Sequence, residues 1–183
     1  MDIVNILILL FFLLLLLSLG LAGISLAPWL PTKRKDFNRI LRLSQLKPGQ
    51  NFYDIGCGDG RICFFIYKNT RSNVTGIEMA WPFYIFCRIK KWWLGFRRVE
   101  EAEKRRLEFK CKDLFNHDLS QAEVVFVFGI PGSIKRRLKQ KLEKELKPGA
   151  KVISYSFSFP GWEHKLKLDR PENNRIPIFV YQL

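Results

Sequence analysis

A short glycine-rich stretch, Asn51–Arg61, constrains the fold of this chain more than any other part of its sequence. It reads Asn-Phe-Tyr-Asp-Ile-Gly-Cys-Gly-Asp-Gly-Arg, so glycine recurs at Gly56, Gly58 and Gly60, and the apolar run Ile62–Tyr67 follows directly. Alternating glycines let the backbone adopt positive φ and remove side chains from the turn, so a ligand can lie against the main chain. The stretch therefore predicts a strand, a tight turn and the beginning of a helix, with a ligand at the turn.

The spacing of these glycines indicates which ligand binds. Dinucleotide-binding turns have the pattern G-x-G-x-x-G and receive a pyrophosphate at the helix N-terminus. This chain instead has G-x-G-x-G, with Asp54 two residues before the first glycine. A carboxylate at the end of a strand suits a cationic ligand better than a phosphate. S-adenosylmethionine (SAM) fits, because its amino-acid end carries an ammonium group and it has no phosphate. A plain structural turn without a ligand is the alternative.

A second acidic residue ends the next predicted strand. Val74–Met79 reads as a short apolar strand, and Glu78 lies near its end. In nucleotide-binding α/β folds, a carboxylate at this place accepts hydrogen bonds from both ribose hydroxyls of the ligand. A solvated carboxylate at a strand end is the alternative. Behind a glycine-rich turn, we favour the ribose contact.

The N-terminus is apolar enough for a membrane helix. No charged residue lies between Ile3 and Thr32, and this stretch exceeds the roughly 20 residues that a bilayer crossing needs. A cleaved signal peptide is the alternative, but a basic beginning is missing and Pro28 follows the candidate cleavage site. Lys33, Arg34 and Lys35 come directly after the apolar stretch, so by the positive-inside rule we expect the rest of the chain on the cytoplasmic side.

Composition limits the partners and the chemistry. The chain has 183 residues, and 31 Lys and Arg against 17 Asp and Glu give a net charge of +14. Such a surface favours anionic partners, namely lipid headgroups, nucleic acid or acidic proteins. The four cysteines form no C-x-x-C pair and only two histidines are present, so we expect no metal site. The cysteines read as small buried residues or as free thiols in a reducing compartment.

Strand and helix patterns alternate along the rest of the chain. Strands are predicted at Leu107–Cys111, Ala122–Phe128, Lys151–Phe159, Glu163–Leu168 and Ile176–Gln182, and the spacing of Ile134, Leu138, Leu142 and Leu146 predicts a helix. Alternation followed by a hairpin predicts an α/β fold whose sheet is mostly parallel with one antiparallel strand. Ligands of such sheets bind at the carboxyl ends of the strands, where Asp54–Gly60, Glu78, Asp113 and Gly129–Pro131 would converge.

The segment Ala80–Gly95 is dense in aromatic and basic residues. Trp81, Phe83, Tyr84, Phe86, Trp92 and Trp93 are interleaved with Arg88, Lys90 and Lys91. Such a mixture can stack on single-stranded nucleic acid. A helix that covers a sheet beside a membrane has the same composition, and we favour this second interpretation, with core residues on one side and a membrane-facing surface on the other.

The chain resembles the class I SAM-dependent methyltransferases, whose motif I has the pattern seen at Asp54–Gly60. A narrower resemblance covers almost the whole chain and is to the small membrane-anchored protein-lysine methyltransferases of the ATP synthase c-subunit and adenine nucleotide translocase type. The matching blocks, besides the apolar N-terminus, are Asp54–Ile62, Gly76–Glu78, Asp113–Leu114, Phe128–Pro131, Leu142–Leu146 and Phe157–Trp162. The chain departs from that family at Ser156, where a basic residue is expected, and at Ser158, where proline is expected.

The resemblance implies a seven-stranded Rossmann-like methyltransferase sheet, mostly parallel with a C-terminal antiparallel hairpin, preceded by one transmembrane helix. It divides the chain into a transmembrane anchor at 1–30, a basic linker and packing helix at 31–48, and a SAM-dependent methyltransferase domain at 49–183. The implied cofactor-binding residues are Asp54, Gly56, Cys57, Gly58, Gly60, Glu78, Met79, Asp113, Leu114 and Phe128. For Asp113 a generic Asx turn is the alternative. Pro131, Phe157, Phe159 and Trp162 are weaker candidates for the substrate site, and ordinary core packing is the alternative for the three aromatic residues.

The implied reaction is transfer of the SAM methyl group to a lysine of a membrane or membrane-associated protein, which mainly requires that the reactants be positioned. No Ser/His/Asp set is visible, and the sequence identifies no general base. Methylation of a small or lipid-like molecule at the membrane is one alternative, and a non-catalytic membrane module that binds SAM is another. Nucleic acid is disfavoured as a substrate because Gly129–Pro131 lacks the Asn/Asp-Pro-Pro-aromatic signature of amino methylation on bases.

Overall fold

The computed structural model describes residues 2–25, 30–95, 105–128, 132–169 and 176–183. The helices in these ranges are α1 (Ile3–Ser25), α2 (Phe37–Ser44), α3 (Arg61–Asn69), α4 (Trp81–Trp93) and α5 (Gly132–Glu145). The strands are β1 (Asn51–Ile55), β2 (Asn73–Glu78), β3 (Leu107–Cys111), β4 (Val124–Phe128), β5 (Lys151–Tyr155), β6 (Leu166–Asp169) and β7 (Ile178–Gln182). Short 3-10 turns lie at Arg34–Asp36, Leu114–Asn116 and Glu163–Lys165.

The seven strands form one sheet in the order β3-β2-β1-β4-β5-β7-β6. Neighbouring strands from β3 to β5 are parallel, whereas β7 runs antiparallel to both β5 and β6. The prediction of a mostly parallel sheet with a C-terminal antiparallel hairpin is therefore confirmed. The strand order reverses between β1 and β4, and such a reversal opens a crevice at the carboxyl ends of the strands, where α/β sheets bind ligands.

The core lies on both faces of the sheet, because successive side chains of a strand point to opposite sides. On β4, Val125 and Val127 pack with Leu138 and Leu142 of α5, whereas Phe126 packs in the other cluster with side chains of α2 and α3. The leucines that predicted a helix are thus the buried side of α5. This packing fixes the helices that surround the crevice.

Strand β5 ends earlier than predicted. The expected strand Lys151–Phe159 stops at Tyr155, because Ser156 adopts φ +82°. This left-handed conformation is uncommon for a residue other than glycine and ends the extended chain. The Ser154 hydroxyl donates to the carbonyl of Phe157 at 2.5 Å and holds the turn. Phe157 and Phe159 consequently lie in a loop instead of a strand.

The segment before β1 is fastened to the sheet by buried polar contacts. The carboxylate of Asp36 accepts hydrogen bonds from the Tyr155 hydroxyl and from the Arg39 guanidinium, both at 2.7 Å. Arg39 also donates to Asp169, at the end of β6, at 3.0 Å. Ile40 on α2 is fully buried in the core. This part of the predicted linker is therefore packed against the core and hydrogen-bonded to the sheet.

Helix α1 is composed of apolar residues almost throughout. Its side chains are described for residues 3–18 and 20, and nearly all of them are exposed. Phe11 contacts Trp81 at the beginning of α4, with ring centroids 6.2 Å apart. Within the described ranges, no helix combines the length and the apolar character that a membrane crossing requires. The transmembrane anchor at 1–30 stays a prediction.

Candidate cofactor-binding and active site

The strand ends of the central sheet meet at one edge. Ile55 of β1 is aligned with Ile77 of β2 and with Val127 of β4. The sheet therefore brings together the predicted residues Asp54 and Glu78 and the glycine-rich turn that follows β1.

The glycine-rich turn has left-handed backbone at all three glycines and is fastened to β2. Gly56, Gly58 and Gly60 have φ values of +72°, +52° and +70°. The backbone N–H groups of Gly56 and Cys57 donate to the carbonyl of Ile77 at 2.8 and 3.1 Å, which fastens the turn to β2. Gly56 is exposed, whereas Gly58 and Gly60 are buried. With no side chain at Gly56, the turn presents its main chain to a ligand at this position.

Glu78 joins the turn to the beginning of α4. Its Oε2 accepts a hydrogen bond from the Gly58 N–H and its Oε1 accepts one from the Ala80 N–H, each at 2.8 Å. Burial raises the pKa of Glu78, although these backbone hydrogen bonds oppose that shift. Each carboxylate oxygen can accept a further hydrogen bond. The arrangement therefore leaves two acceptors for the two hydroxyls of a ribose.

Asp54 is a buried carboxyl group with no cationic partner in the part of the chain that the structure describes. Its side chain accepts a hydrogen bond from the Cys63 thiol at 3.4 Å. Burial, assisted by the negative charges of Glu78 and Asp59, raises the pKa of Asp54 to about 7. An unpaired buried charge is costly. A ligand with an ammonium group would supply the missing positive charge, so SAM fits these residues.

Three thiols lie beneath the turn. Cys57 lies close enough to Cys63 and Cys87 for the three thiols to interact, and the Cys87 thiol donates to the carbonyl of Gly58 at 3.2 Å. Burial raises the pKa of Cys63 to about 12, so this thiol stays protonated at neutral pH. The side chain of Cys57 points into this cluster. Its predicted contact with the cofactor would therefore come from its backbone.

The other predicted cofactor residues follow strands β2, β3 and β4 or end them. Asp113 accepts a hydrogen bond from the Phe115 N–H at 2.9 Å, which is the Asx turn named above as the alternative. Leu114 is fully buried. Met79 is half-buried, and Phe128 is half-buried and lies edge-on to Tyr155 with ring centroids 4.8 Å apart. Contact of these residues with an adenine ring stays a prediction.

The predicted substrate residues separate into two groups. Phe159 and Trp162 are 3% and 1% exposed and pack against Tyr181, which favours ordinary core packing for both. Phe157 is only partly buried, and the ammonium group of Lys135 lies 4.8 Å from its ring centroid. Pro131 lies outside the described residues. The Phe157 ring is thus in contact with an amine-type cation, that of Lys135.

The N-terminal side of the site was not anticipated from the sequence. The Arg61 guanidinium donates to the carbonyl of Thr32 at 3.4 Å and pairs with Asp59 at 2.6 Å. Thr32 is almost fully buried. The chain before α2 therefore passes close to the glycine-rich turn. The only signal for this contact was the Asp-x-Arg sequence inside the turn, which does not reveal its partner.

Gly60→Ala is expected to lower the free energy of unfolding by about 1 to 3 kcal/mol more than Gly49→Ala does. A Cβ at Gly60 would lie 2.9 Å from Cys87 Sγ and from Phe109 Cε1, whereas a Cβ at Gly49 would meet nothing within 4 Å. Both glycines have positive φ, +70° and +82°, so the comparison isolates crowding from backbone strain. Urea denaturation followed by circular dichroism measures both variants, and equal losses would contradict the prediction.

Comparison with known proteins places the chain among methyltransferases. The model of the ANTKMT methyltransferase domain matches residues 54–166. A protein-lysine N-methyltransferase of Saccharolobus islandicus (strain REY15A) is 32% identical over 84% of this chain and 91% of that protein. The Homo sapiens lysine N-methyltransferase of the ATP synthase c-subunit is 31% identical over 74% of this chain and 54% of that protein, so the chain spans about half the length of this relative.

Solved structures agree with this assignment. An RNA methyltransferase from Salinibacter ruber in complex with S-adenosyl-L-homocysteine has a TM-score of 0.68 and 26% identity, with 84% of this chain and 93% of that chain covered. A methyltransferase from Geobacter sulfurreducens has a TM-score of 0.61 at 12% identity, with 83% and 80% covered, and shows the fold alone. S-adenosyl-L-homocysteine is the form that SAM takes after losing its methyl group. The fold is therefore that of SAM-dependent methyltransferases.

Proposed function

This chain belongs to the ANTKMT methyltransferase family and is a SAM-dependent methyltransferase, and from that premise we propose that it methylates the side-chain amine of a lysine in a membrane or membrane-associated protein. The observation that carries the choice of lysine is the 32% identity to the S. islandicus protein-lysine N-methyltransferase, which extends over 84% of this chain and 91% of that protein. The site geometry supports the cofactor, and α1 supports the location.

The cofactor would be held by two carboxyl groups beside the glycine-rich turn. Asp54 would pair with the ammonium group, and Glu78 would accept hydrogen bonds from the ribose while it holds Gly58 and Ala80 in place. When bound, SAM supplies a methyl group on a sulfonium whose leaving group is a neutral thioether. The protein mainly has to position the reactants and exclude water.

The acceptor lysine must be neutral before it can attack a methyl group. Neighbouring cations lower the pKa of an amine, and so does removal from water. Lys135 supplies such a charge beside Phe157, with its ammonium group 4.8 Å from the ring centroid. An acceptor lysine that approaches Phe157 would meet the positive charge of Lys135, which favours loss of its proton. The aromatic ring would instead attract the protonated side chain and position it before the proton is lost.

We place the protein at a membrane, with α1 as a single-pass anchor and the catalytic domain on the cytoplasmic side. Exposed apolar side chains cover α1 at residues 3–18, and Leu7, Phe11 and Leu16 are all more than half exposed. A surface of this kind is stabilised by contact with an apolar environment such as the interior of a bilayer. The basic group Lys33–Lys35 lies where it would meet anionic headgroups on that side. This location would bring the site close to a membrane-embedded substrate protein.

Full-length protein incubated with tritiated SAM and a membrane extract is expected to transfer label to a protein band, and acid hydrolysis of that band should release labelled methyl-lysine. Asp54→Ala is the matched control and should give no label, because it lacks the partner of the ammonium group. Label in the lipid phase would instead support a small or lipid-like substrate, and label in RNA would support a nucleic-acid substrate. If protein, lipid and RNA all stay unlabelled although calorimetry shows that the protein binds SAM, the result would support a non-catalytic module.

A further inference from the structure

One face of α4 leaves large apolar side chains in solvent. Ile85, Phe86, Ile89, Trp92 and Trp93 are between 42% and 81% exposed. At 3.6 residues per turn these five side chains lie along a single stripe of the helix. Scattered exposed apolar residues are ordinary, but a contiguous patch on a folded domain marks an interaction surface. We call this surface the α4 stripe.

Basic residues border the α4 stripe on both sides. Arg88 is exposed at one border. Lys90 lies at the other, with its ammonium group 4.6 Å from the ring centroid of Phe64 and 5.5 Å from that of Phe86. No acidic residue occurs between Trp81 and Gly95. An apolar stripe with basic borders and tryptophans is typical of helices that lie in the plane of a membrane interface.

The opposite face of α4 is fixed, so the helix cannot rotate to hide the stripe. Cys87 is fully buried, and its thiol donates to the carbonyl of Gly58 in the cofactor turn at 3.2 Å. The ammonium group of Lys91 donates to the carbonyl of Leu107 on β3 at 2.5 Å. Exposure of the stripe is therefore a property of the folded domain.

Charge and geometry decide between the possible occupants of the stripe. Helix α1 meets α4 at Trp81, and yet the side chains from Ile85 onward stay exposed. A second copy would bring basic borders against basic borders on a chain whose net charge is +14, which is repulsive. An anionic bilayer complements both parts of the surface, because its headgroups attract Arg88 and Lys90 and its acyl region accepts the apolar side chains.

We propose that the α4 stripe inserts into the boundary between headgroups and acyl chains of an anionic bilayer and forms a membrane contact of the catalytic domain that is separate from α1. The inference requires neither that α1 cross the bilayer nor that the acceptor be a lysine. Because α4 begins just after Glu78 and holds Gly58 through Cys87, this contact orients the domain with its cofactor turn next to the membrane surface.

Tryptophan quenching by brominated lipids tests the α4 stripe on the full-length protein. Vesicles of phosphatidylcholine and phosphatidylglycerol, with and without bromine on the acyl chains, are compared for the wild type and the Trp92→Phe/Trp93→Phe variant. The difference between the emission spectra of these two proteins is the emission of Trp92 and Trp93. We expect this emission to be blue-shifted and to lose most of its intensity in brominated vesicles, and to lose less when phosphatidylglycerol is omitted.

A tryptophan on the other edge of the sheet serves as the matched control. Leu168 on β6 is 44% exposed, close to the value for Ile85. Leu168→Trp is introduced into the Trp92→Phe/Trp93→Phe background, and the emission that it adds to this background should not be quenched by bromine. If this tryptophan is quenched as strongly as Trp92 and Trp93, the proposal is overturned, because lipid would then contact both edges of the domain and not the α4 stripe in particular.

Two further outcomes separate this proposal from the others. Emission of Trp92 and Trp93 that bromine leaves unchanged would overturn the proposal, and a blue shift in that case would indicate contact with a second copy of the chain instead of lipid. Carbonate washing of the same vesicles reports on α1 independently. Release of a protein whose tryptophans were quenched before washing would reject the spanning anchor and support the α4 contact.

Discussion

Binding of SAM is expected to strengthen as pH rises towards and through about 7, and Asp54→Asn is expected to remove this dependence together with most of the binding. The pKa of Asp54 is raised to about 7, chiefly by burial, so the carboxyl is largely neutral in the ligand-free protein at acidic pH. A ligand ammonium pairs with the ionised form. Loss of one partner of a buried charge pair costs about 3 to 5 kcal/mol, so binding should weaken by more than about 100-fold. Calorimetric titration from pH 5.5 to 8.5 measures both effects.

The same substitution is expected to stabilise the ligand-free protein at high pH. An Asp carboxyl in the unfolded chain titrates near 3.8, whereas Asp54 in the folded protein titrates near 7. The folded state therefore binds more protons between these values, and stability falls as pH rises through that window, by a total on the order of 4 kcal/mol. Asp54→Asn removes this loss. Thermal denaturation at pH 5 and pH 8 in the absence of SAM measures it.

Asp59→Asn is the matched control for this pH dependence. Asp59 lies in the same turn, but hydrogen bonds and charge from Arg61 outweigh its partial burial and lower its pKa. Its contribution to stability is therefore present at neutral pH and is lost as pH falls through the acidic range, which is the opposite sign. Identical pH profiles of stability for the wild type and Asp54→Asn would contradict the assignment of the raised pKa to this carboxyl.

Glu78→Ala is expected to weaken SAM binding by about 1 to 3 kcal/mol, or about 5- to 150-fold. The substitution removes acceptors for the ribose and also leaves the N–H groups of Gly58 and Ala80 without their partner. Glu78→Gln keeps the shape and one acceptor oxygen, so its affinity should lie between those of the wild type and Glu78→Ala. Isothermal titration calorimetry measures all three proteins.

The ribose contact can be separated from the structural role of Glu78 with a modified ligand. The wild type should prefer SAM to its 2′-deoxyribose analogue, because the analogue lacks one of the hydroxyls that the carboxylate would bind. Glu78→Ala should lose most of this preference, which is the pairwise term of a double-mutant cycle. An unchanged preference in the variant would mean that Glu78 only supports the turn and does not contact the ribose.

Features set by local sequence could be predicted here. The glycines and Asp54 belong to one short stretch, and their spacing alone indicates the turn and the charge of its ligand. The sheet follows from alternating patterns, because consecutive parallel strands need a connection that crosses the face of the sheet. Glu78 was found by its place at a strand end. In each case the informative residues are neighbours in the chain.

Contacts between distant parts of the chain could not be predicted in this way. The Tyr155 hydroxyl donates to Asp36, which lies 119 positions earlier in the chain. Asp36 follows the basic residues Lys33–Lys35, and nothing in this local sequence indicates that its partner is a tyrosine of β5. The end of β5 is hidden in the sequence for a different reason. Ser156 adopts positive φ, and only glycine or asparagine at that position would have signalled a left-handed residue.

The contacts of Thr32 and Asp36 also limit which N-terminal segments can be exchanged when such an enzyme acquires a new subcellular location during evolution. A gene fusion or recombination that replaced the N-terminal segment up to residue 31 would leave the Arg61 and Tyr155 contacts intact. An exchange a few residues later would remove Asp36 and leave the Tyr155 hydroxyl without its acceptor in the core. Descendants that acquire a new targeting segment are therefore expected to inherit the residues from Thr32 onward together with the sheet.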